Sequence, residues 1–363
     1  MKTPMITKNS CQSKPQFSNK MFSHMLYFDF IYKNPCVFAR VLVNYYKLLV
    51  LRQKVLRITD IAVTYECNAK CPHCCSTMNV DHNKEILSLD EIKSCIKQAV
   101  GLGSIIFNFL GGEPLVYKHI YELIRFVKDN NAIAGMSSNG YLLTEDVVEK
   151  LKFSGLDVIQ VDFGGGLSSE EVDNIRSLPG CYERGLRGVA LLKKAGIKVI
   201  LSTILTKKTV ANGDIWKIVE FANDLGVIIN VNCSVKIGNW ESNEDSLLTE
   251  TELQEFNKLI KLPYTRWAGS TNYLGEYCPC GTEKIFITAY GDVTPCGIQA
   301  VSYGNIREKK LKAIWEKMYS RSIGKRKTRA CRAAFDKDII RETELAYAMK
   351  KKLPVSIEEM PGT

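Results

Sequence analysis

From Ile58 onward, short apolar runs alternate with segments whose apolar positions recur at helical spacing. The runs are rich in β-branched residues, which favours strands, and the segments between them favour amphipathic helices. This alternation is typical of βα units around a parallel sheet, so we expect an α/β fold. Six runs are predicted to form strands: residues 58–65, 105–110, 134–138, 158–163, 199–205 and 227–233.

The predicted helices begin at capping residues and end at glycines. Ser88 and Glu91 form a capping box before a helix with apolar residues at i, i+3, i+4 and i+7. Because Cys95 occupies one of these apolar positions, we expect it in the core and not at a metal. Three more helices are predicted to end at glycines, which suit the left-handed C-cap: from Thr144 to Gly155, from about Tyr182 to Gly196 and from about Asp214 to Gly226.

Residues 37–51 form the most apolar early stretch, but Arg40 and Lys47 interrupt it. The stretch is shorter than the roughly 20 residues that a membrane-spanning helix needs. Its mixture of apolar and basic residues fits a helix that packs against a barrel, and it also fits a helix that lies on a membrane surface. Of these two alternatives we favour packing, and we interpret residues 1–56 as an N-terminal helical extension.

The chain has 363 residues and a formal net charge of +10, from 49 Lys and Arg against 39 Asp and Glu. This balance favours anionic substrates or surfaces. Residues 321–329 include five basic residues in nine, which keeps a tRNA-modifying activity open. Since most charged runs are solvated surfaces and no RNA-binding module is recognised, we do not expect a nucleic-acid partner.

Thirteen cysteines are either a disulfide framework or a set of thiolate metal ligands. Several of them lie in tight groups, and the first twenty residues are polar, with no apolar core of a secretory signal. A reducing, cytoplasmic location and metal binding are therefore the better interpretation.

The first group, Cys67-Asn-Ala-Lys-Cys71-Pro-His-Cys74, follows the first predicted strand directly, where α/β barrels place their chemistry. Thiolates select zinc or iron–sulfur clusters. A structural zinc site needs four closed ligands, whereas three cysteines leave one coordination position open. Cys75 is a weaker alternative ligand, because its neighbour Cys74 makes it hard for both thiolates to reach one cluster.

This CxxxCxxC motif resembles the defining motif of the radical S-adenosylmethionine (SAM) superfamily, with His73 where members usually have an aromatic residue. The resemblance implies a partial (βα)6 TIM-like barrel. It also implies a [4Fe–4S] cluster on Cys67, Cys71 and Cys74 that binds SAM at its open iron. Such enzymes reductively cleave SAM to a 5′-deoxyadenosyl radical, which abstracts hydrogen from a substrate. The electron donor is expected to be a reductase such as flavodoxin or ferredoxin.

The resemblance extends to residues at the ends of later strands. Gly111-Gly112-Glu113-Pro114 is similar to the superfamily's GGE motif, in which glycines allow close approach and the backbone and acid bind the SAM amino group. Short polar residues at strand ends also cap turns, and that alternative stays open. The predicted SAM-binding residues are Gly111, Gly112, Glu113, Pro114, Ser137, Ser138, Asn139, Asp162 and Thr203.

Near the C-terminus, Cys278 or Cys280, then Gly291 and Cys296, resembles the CX9–15GX4C signature of SPASM and twitch extensions. A hairpin over residues 285–293 and a helix over residues 311–318 are predicted beside it. A full SPASM domain has a second run, CX2CX5CX3C, but here only Cys331 follows. We therefore expect a small twitch-like domain with one auxiliary [4Fe–4S] cluster bound by Cys278, Cys296 and Cys331, with Cys280 as a further ligand or in place of Cys278. A zinc site on the same thiolates is the alternative.

Four parts of the chain are thus predicted: the N-terminal extension, a radical SAM partial barrel over residues 57–245, a linker helix and auxiliary-cluster domain over residues 246–335, and a C-terminal tail over residues 336–363. The expected function is hydrogen abstraction from an unidentified substrate, in peptide maturation or in small-molecule oxidation or rearrangement. A tRNA-modifying radical enzyme and a non-enzymatic iron–sulfur electron carrier are the alternatives.

Overall fold

A computed structural model describes residues 34–269, 273, 278–321, 330–349 and 351–361. Its main sheet contains all six predicted strands, and each boundary lies within one residue of the prediction. These strands are β1 (Ile58–Thr64), β2 (Ile106–Gly111), β3 (Ile133–Ser138), β4 (Val158–Asp162), β5 (Lys198–Leu205) and β6 (Ile228–Cys233). Neighbouring strands pair in parallel from β1 to β6, which confirms the partial (βα)6 barrel.

Three short strands extend this sheet at its two edges. They are β7 (Thr265–Arg266), β8 (Lys284–Ile287) and β9 (Val293–Thr294). The nine strands follow the order β7-β6-β5-β4-β3-β2-β1-β8-β9. Because β8 pairs in parallel with β1, the C-terminal cysteine region is joined to the barrel through the sheet itself.

The helices that alternate with the strands have the predicted caps. Ser88 and Glu91 complete their capping box, and Cys95 is buried in the core. Gly155 and Gly196 are left-handed C-caps, whereas the helix predicted to end at Gly226 is capped one residue earlier. The helices are α1 (Pro35–Leu49), α2 (Leu89–Gly101), α3 (Ile120–Asp129), α4 (Glu145–Ser154), α5 (Ser169–Arg176), α6 (Cys181–Ala195), α7 (Lys207–Ala211), α8 (Asp214–Asp224), α9 (Glu250–Leu259), α10 (Leu311–Ser320), α11 (Arg332–Phe335) and α12 (Lys337–Ala348).

Helix α1 packs on the barrel end where the strands begin. Val37 is buried against apolar residues at or near the first positions of five strands: Ile58, Ile105, Ile106, Ile133, Val158 and Ile200. The Arg40 guanidinium donates to the carbonyl oxygens of Ser104 (2.6 Å) and Asn130 (2.9 Å), which lie in loops at the same end. Helix α1 therefore packs against the barrel, which is the alternative that we favoured for this segment.

The opposite side of α1 and the residues just after it are apolar and exposed. Their large exposed side chains are Phe38, Leu42, Val43, Tyr46, Leu49, Val50 and Leu51. Contact of this face with a membrane surface stays a prediction. Among the described residues, no helix combines the length and the apolar character required to cross a bilayer.

The predicted C-terminal hairpin forms from β8 and β9, which pair antiparallel, and Gly291 takes the left-handed conformation (φ +92°) in its turn. Residues 336–363, predicted to be a tail, are largely folded. They include α12 and a strand, β11 (Val355–Ser356), which pairs in parallel with β10 (Val301–Ser302). The basic run at 321–329 lies, except for Arg321, outside the described residues.

Candidate functional site

A cavity of about 400 Å³ opens where the barrel strands end. All seven cysteines predicted to bind metal line it: Cys67, Cys71, Cys74, Cys278, Cys280, Cys296 and Cys331. The first three come from the loop after β1 and the others from the region after α9, so the sheet brings two distant parts of the chain to one chamber. None of the twelve cysteines in the described residues forms a disulfide.

The loop from Cys67 to Cys74 is folded on itself beside the end of β1. The backbone amide of Cys74 donates to the Cys71 carbonyl (3.2 Å), and the amide of Ala69 donates to the Cys67 thiol (3.4 Å). Burial raises the pKa of both Cys67 and Cys71. The Arg176 guanidinium partly offsets this effect at Cys71. A bound metal would hold both sulfurs as thiolates.

Arg176, at the C-terminal end of α5, is a site residue that the sequence analysis missed. Its buried guanidinium donates to the Cys71 thiol (3.4 Å) and forms an ion pair with Asp162 (2.6 Å) at the end of β4. Burial lowers the pKa of Arg176, but the Asp162 carboxylate and the Cys71 sulfur raise it by more than burial lowers it. The pKa of Arg176 is therefore raised overall. The guanidinium thus remains a cation at the cavity wall.

Gly111, the last residue of β2, and Gly112 lie against the segment that leads into the cysteine loop. A side chain at Gly111 would place its Cβ 2.0 Å from the Thr64 carbonyl oxygen, and Gly111 also has a φ of +135°. At Gly112 the Cβ would lie 2.1 Å from the Glu66 carbonyl oxygen. Because these contacts are with backbone atoms, only glycine lets the end of β2 lie this close to the loop. The same glycines would also let a ligand approach the backbone closely.

Glu113 is buried and does not line the cavity. Its carboxylate accepts hydrogen bonds from the backbone amides of Asn139 (2.8 Å) and Leu115 (3.2 Å). Burial raises the pKa of Glu113, and these amides partly offset that effect. The acid therefore ties the end of β2 to the end of β3, a role that the sequence analysis did not assign to it.

Most of the other predicted SAM-binding residues line the cavity: Gly111, Gly112, Ser137, Ser138, Asn139 and Asp162. Pro114 and Thr203 do not. Thr203 shares the side of β5 with Leu201 and Leu205, which pack in the helix-facing core, so strand alternation directs it away from the barrel interior. Its position differs from the predicted one at the mouth of the barrel.

The loop after β6 packs over the first cysteine group. Asn239 donates from Nδ2 to the Cys71 carbonyl (2.9 Å) and from its backbone amide to the Cys74 carbonyl (3.0 Å). Its Oδ1 accepts from the Thr77 hydroxyl (2.9 Å), and Trp240 lies beside His73 with ring centroids 5.7 Å apart. Neither Asn239 nor Trp240 was predicted, although their place at a strand end is a signal that could have found them.

The C-terminal cysteines form a second group on the far side of the cavity. Cys278, Cys280 and Cys296 line this side together, and neighbouring thiols and burial raise the pKa of Cys278 and Cys280 well above the ordinary value. Burial raises the pKa of the Cys233 thiol well above its ordinary value, and the nearby Cys331 sulfur raises it further. Cys233, at the end of β6, also lines the cavity and adds a fifth thiol that the sequence analysis did not assign.

The donor set fits iron–sulfur clusters. Within the described ranges, no three His, Cys, Asp or Glu side chains converge closely enough to hold a single metal ion. Thiolates in two groups of three and four suit multi-iron clusters, which are ligated by cysteine. Beside Cys331, the buried Arg332 Nη1 has no hydrogen-bond partner among the residues described, as expected of a donor close to an absent acceptor.

Comparison with known families agrees with this geometry. Residues 61–222 match the radical SAM superfamily, and residues 278–333 match the SPASM iron–sulfur cluster-binding domain. The chain belongs to the radical SAM superfamily. It is therefore a radical SAM enzyme with SAM and iron–sulfur clusters as cofactors, and the electron-carrier alternative is wrong.

Curated relatives and solved structures of this superfamily resemble the chain over most of its length. An AdoMet-dependent heme synthase of Methanosarcina barkeri is 29% identical over 72% of this chain and 82% of its own. A PqqA peptide cyclase of Rhizobium meliloti is 26% identical over 70% and 72%. The structure of Streptococcus suis SuiB bound to the precursor peptide SuiA has a TM-score of 0.58, at 18% identity, over 88% and 79% of the two chains, which shows the shared fold.

Proposed function

We propose that this radical SAM enzyme abstracts hydrogen from a peptide or small molecule held between its two cysteine groups and then oxidises it. The observation that carries the proposal is the shared cavity, which both groups line. A substrate in this chamber is within reach of both cofactor sites at once. Oxidation of the substrate uses that arrangement, because one site starts the reaction and the other can take up an electron.

The bound cofactors supply the electron and the carbon radical, while the protein supplies binding, orientation and exclusion of water. For SAM, we propose contacts from the strand-end residues that line the cavity: Gly111, Gly112, Ser137, Ser138, Asn139 and Asp162. Arg176 is the cation at this wall, and it suits the SAM carboxylate. Glu113 holds Asn139 in place for this task.

The substrate side of the cavity is rich in aromatic and apolar side chains. It is lined by Ile237, Trp240, Phe256, Trp267, Tyr303 and Met318. Such a lining excludes water and favours an apolar or aromatic group of the substrate. The relatives include both a heme synthase and a peptide cyclase, so the likeness supports a small molecule and a peptide equally.

The experiment uses the anaerobically purified holoenzyme with SAM, dithionite and candidate substrates labelled with deuterium. We expect 5′-deoxyadenosine to form and to carry deuterium from the true substrate. Cys71→Ala should abolish its formation, and the matched control Cys36→Ala, which changes an exposed cysteine on α1, should leave it unchanged. The proposed substrate class would be contradicted if no labelled peptide or small molecule transferred deuterium to 5′-deoxyadenosine and only labelled tRNA did so.

The electron donor is a second expectation to test. We propose a flavodoxin or ferredoxin as the physiological reductase, in agreement with the positive net charge of the chain. Replacing dithionite with reduced flavodoxin or ferredoxin should support 5′-deoxyadenosine formation, and raising the salt concentration should slow it.

A further inference from the structure

A buried ion pair lies in the wall of the cavity that both cysteine groups line. The Lys284 ammonium is 2.7 Å from the Asp60 carboxylate, and the two side chains are 13% and 7% exposed. Asp60 belongs to β1 and also accepts a hydrogen bond from Asn108 Nδ2 (2.8 Å) on β2. Both members of the pair line the cavity.

The backbone of Lys284 is bound to the loop that carries two of the auxiliary cysteines. The amide of Lys284 donates to the Pro279 carbonyl (2.9 Å), and the amide of Gly281 donates to the Lys284 carbonyl (2.8 Å). Cys280 forms a β-bridge with Lys284. The lysine is thus part of the cysteine loop, whereas its partner Asp60 is part of the barrel wall.

The pair is therefore a dipole whose positive end belongs to the auxiliary site. Lys284 lines the same cavity as Cys278, Cys280, Cys296 and Cys331, so its ammonium is a charge on the wall of the auxiliary site. In a buried site, where solvent screening is weak, such a charge acts strongly on its neighbours.

We propose that Lys284 and Asp60 set the reduction potential of the auxiliary cluster. Reduction adds one electron to that cluster, with no covalent bond formed or broken and no proton transferred. The added negative charge is stabilised by the Lys284 ammonium and opposed by the Asp60 carboxylate, since cluster potentials follow local charge and hydrogen bonding. The inference rests on the proposed function, in which the substrate radical is the electron source.

The test is a redox titration of the anaerobic holoenzyme with dithionite, followed by electron paramagnetic resonance. The auxiliary cluster is the signal that does not change when SAM is added. The variants are Asp60→Asn, the double variant Asp60→Asn with Lys284→Met, and the charge-preserving control Lys284→Arg. The double variant leaves no unpaired buried carboxylate, so its comparison with Asp60→Asn isolates the lysine charge.

We expect Asp60→Asn to raise the ratio of reduced to oxidised auxiliary cluster at fixed potential about tenfold, which is a shift of about 59 mV. The midpoint potential of the double variant should be lower than that of Asp60→Asn by at least the same amount. The midpoint potential of Lys284→Arg should stay close to that of the wild type. If the double variant does not fold, the midpoint potentials of Asp60→Asn, Lys284→Arg and the wild type still give the direction of the shift.

Equal midpoints for Asp60→Asn and the wild type, or a lower one for Asp60→Asn, would overturn the inference. So would equal midpoints for Asp60→Asn and the double variant. A wild type with no SAM-insensitive signal would also overturn it, and 5′-deoxyadenosine formation in the same preparation would show that the radical chemistry itself survives. Failure of this inference is therefore distinguishable from failure of the proposed function.

Discussion

At the scale of single residues, the first cysteine group is held in place by residues from distant parts of the chain. Asn239 reaches two of its backbone carbonyls, and Arg176 reaches the Cys71 sulfur. Gly238, next to Asn239, has a left-handed backbone (φ +57°), and its amide donates to the Tyr347 hydroxyl on α12 (2.7 Å). The C-terminal helix is thus linked to the cysteine loop through two adjacent residues, Gly238 and Asn239.

Asn239→Ala should loosen this loop. The variant loses the bonds from Nδ2 to the Cys71 carbonyl and from the Thr77 hydroxyl to Oδ1, each worth roughly 0.5–1.5 kcal/mol. We expect the radical cluster to be lost faster to an iron chelator, measured by the decay of its absorbance. Ser242→Ala, an exposed change in the same loop, is the control, and equal decay rates for the two variants would show that Asn239 does not hold the loop.

Glu113→Gln tests whether this acid positions the end of β3. Glutamine cannot accept from both backbone amides that now bind the carboxylate, and a hydrogen bond to a charged group is worth about 1.5–3 kcal/mol. We expect a lower melting temperature together with weaker SAM binding by calorimetry. Glu149→Gln, on the exposed surface of α4, should change neither quantity. Weaker SAM binding with unchanged stability would instead favour direct contact between the acid and SAM.

The cysteines could be predicted because their spacing is written along the chain. Arg176 could not, because along the sequence it is one basic residue at the end of a polar helix, and only the fold brings it to Cys71 and Asp162. Glu113 was found by resemblance, but its contacts to Leu115 and Asn139 depend on how two strand ends meet.

At the scale of elements, the strands were predictable and their pairing was less so. Each barrel strand is a local apolar run, which periodicity detects. The pairing of β8 with β1 joins residues more than two hundred positions apart, and no local pattern announces it. Helix α12 was missed because it has few buried residues, with only Ile339 and Ala346 fully buried, so its sequence looks like a polar tail.

The C-terminal region is also attached to α2 by Arg307. Its guanidinium donates to the Glu91 carboxylate (2.6 and 3.1 Å) and to the carbonyls of Glu85 and Ile86. This hydrogen bond from Arg307 is the main reason that the pKa of Glu91 falls from its ordinary 4.5 to about 2. The contact joins two elements that are distant in sequence.

Because the pKa of Glu91 is lower in the folded protein, its contribution to stability is complete above pH 4.5 and is lost as the pH falls toward 2. About a third of each side chain is exposed, so we expect Glu91→Gln to cost only about 0.2–1 kcal/mol at neutral pH. The melting temperatures of the wild type and the variant should converge below pH 4.5. A difference that stays constant down to pH 3 would exclude the ion pair as its source, and Glu308→Gln is the exposed control.

At the scale of the whole molecule, one parallel sheet places two cysteine groups around one chamber. The first group follows β1, and β8, which pairs with β1, carries the loop of the second. The order of strands therefore determines how close the two cofactor sites can be. Helix α1 packs on the opposite end of the barrel, and the chamber lies where the strands end, as in other α/β barrels.

The central claim is that Cys67, Cys71 and Cys74 hold a cluster with one iron open to SAM. Its most direct test is electron–nuclear double resonance on the reduced protein with SAM labelled by 15N at the amino group and by 17O at the carboxylate. We predict that both labels couple to the cluster, and that neither does so in Cys71→Ala. An uncoupled spectrum in the wild type, with zinc bound to the first cysteine group, would contradict the account.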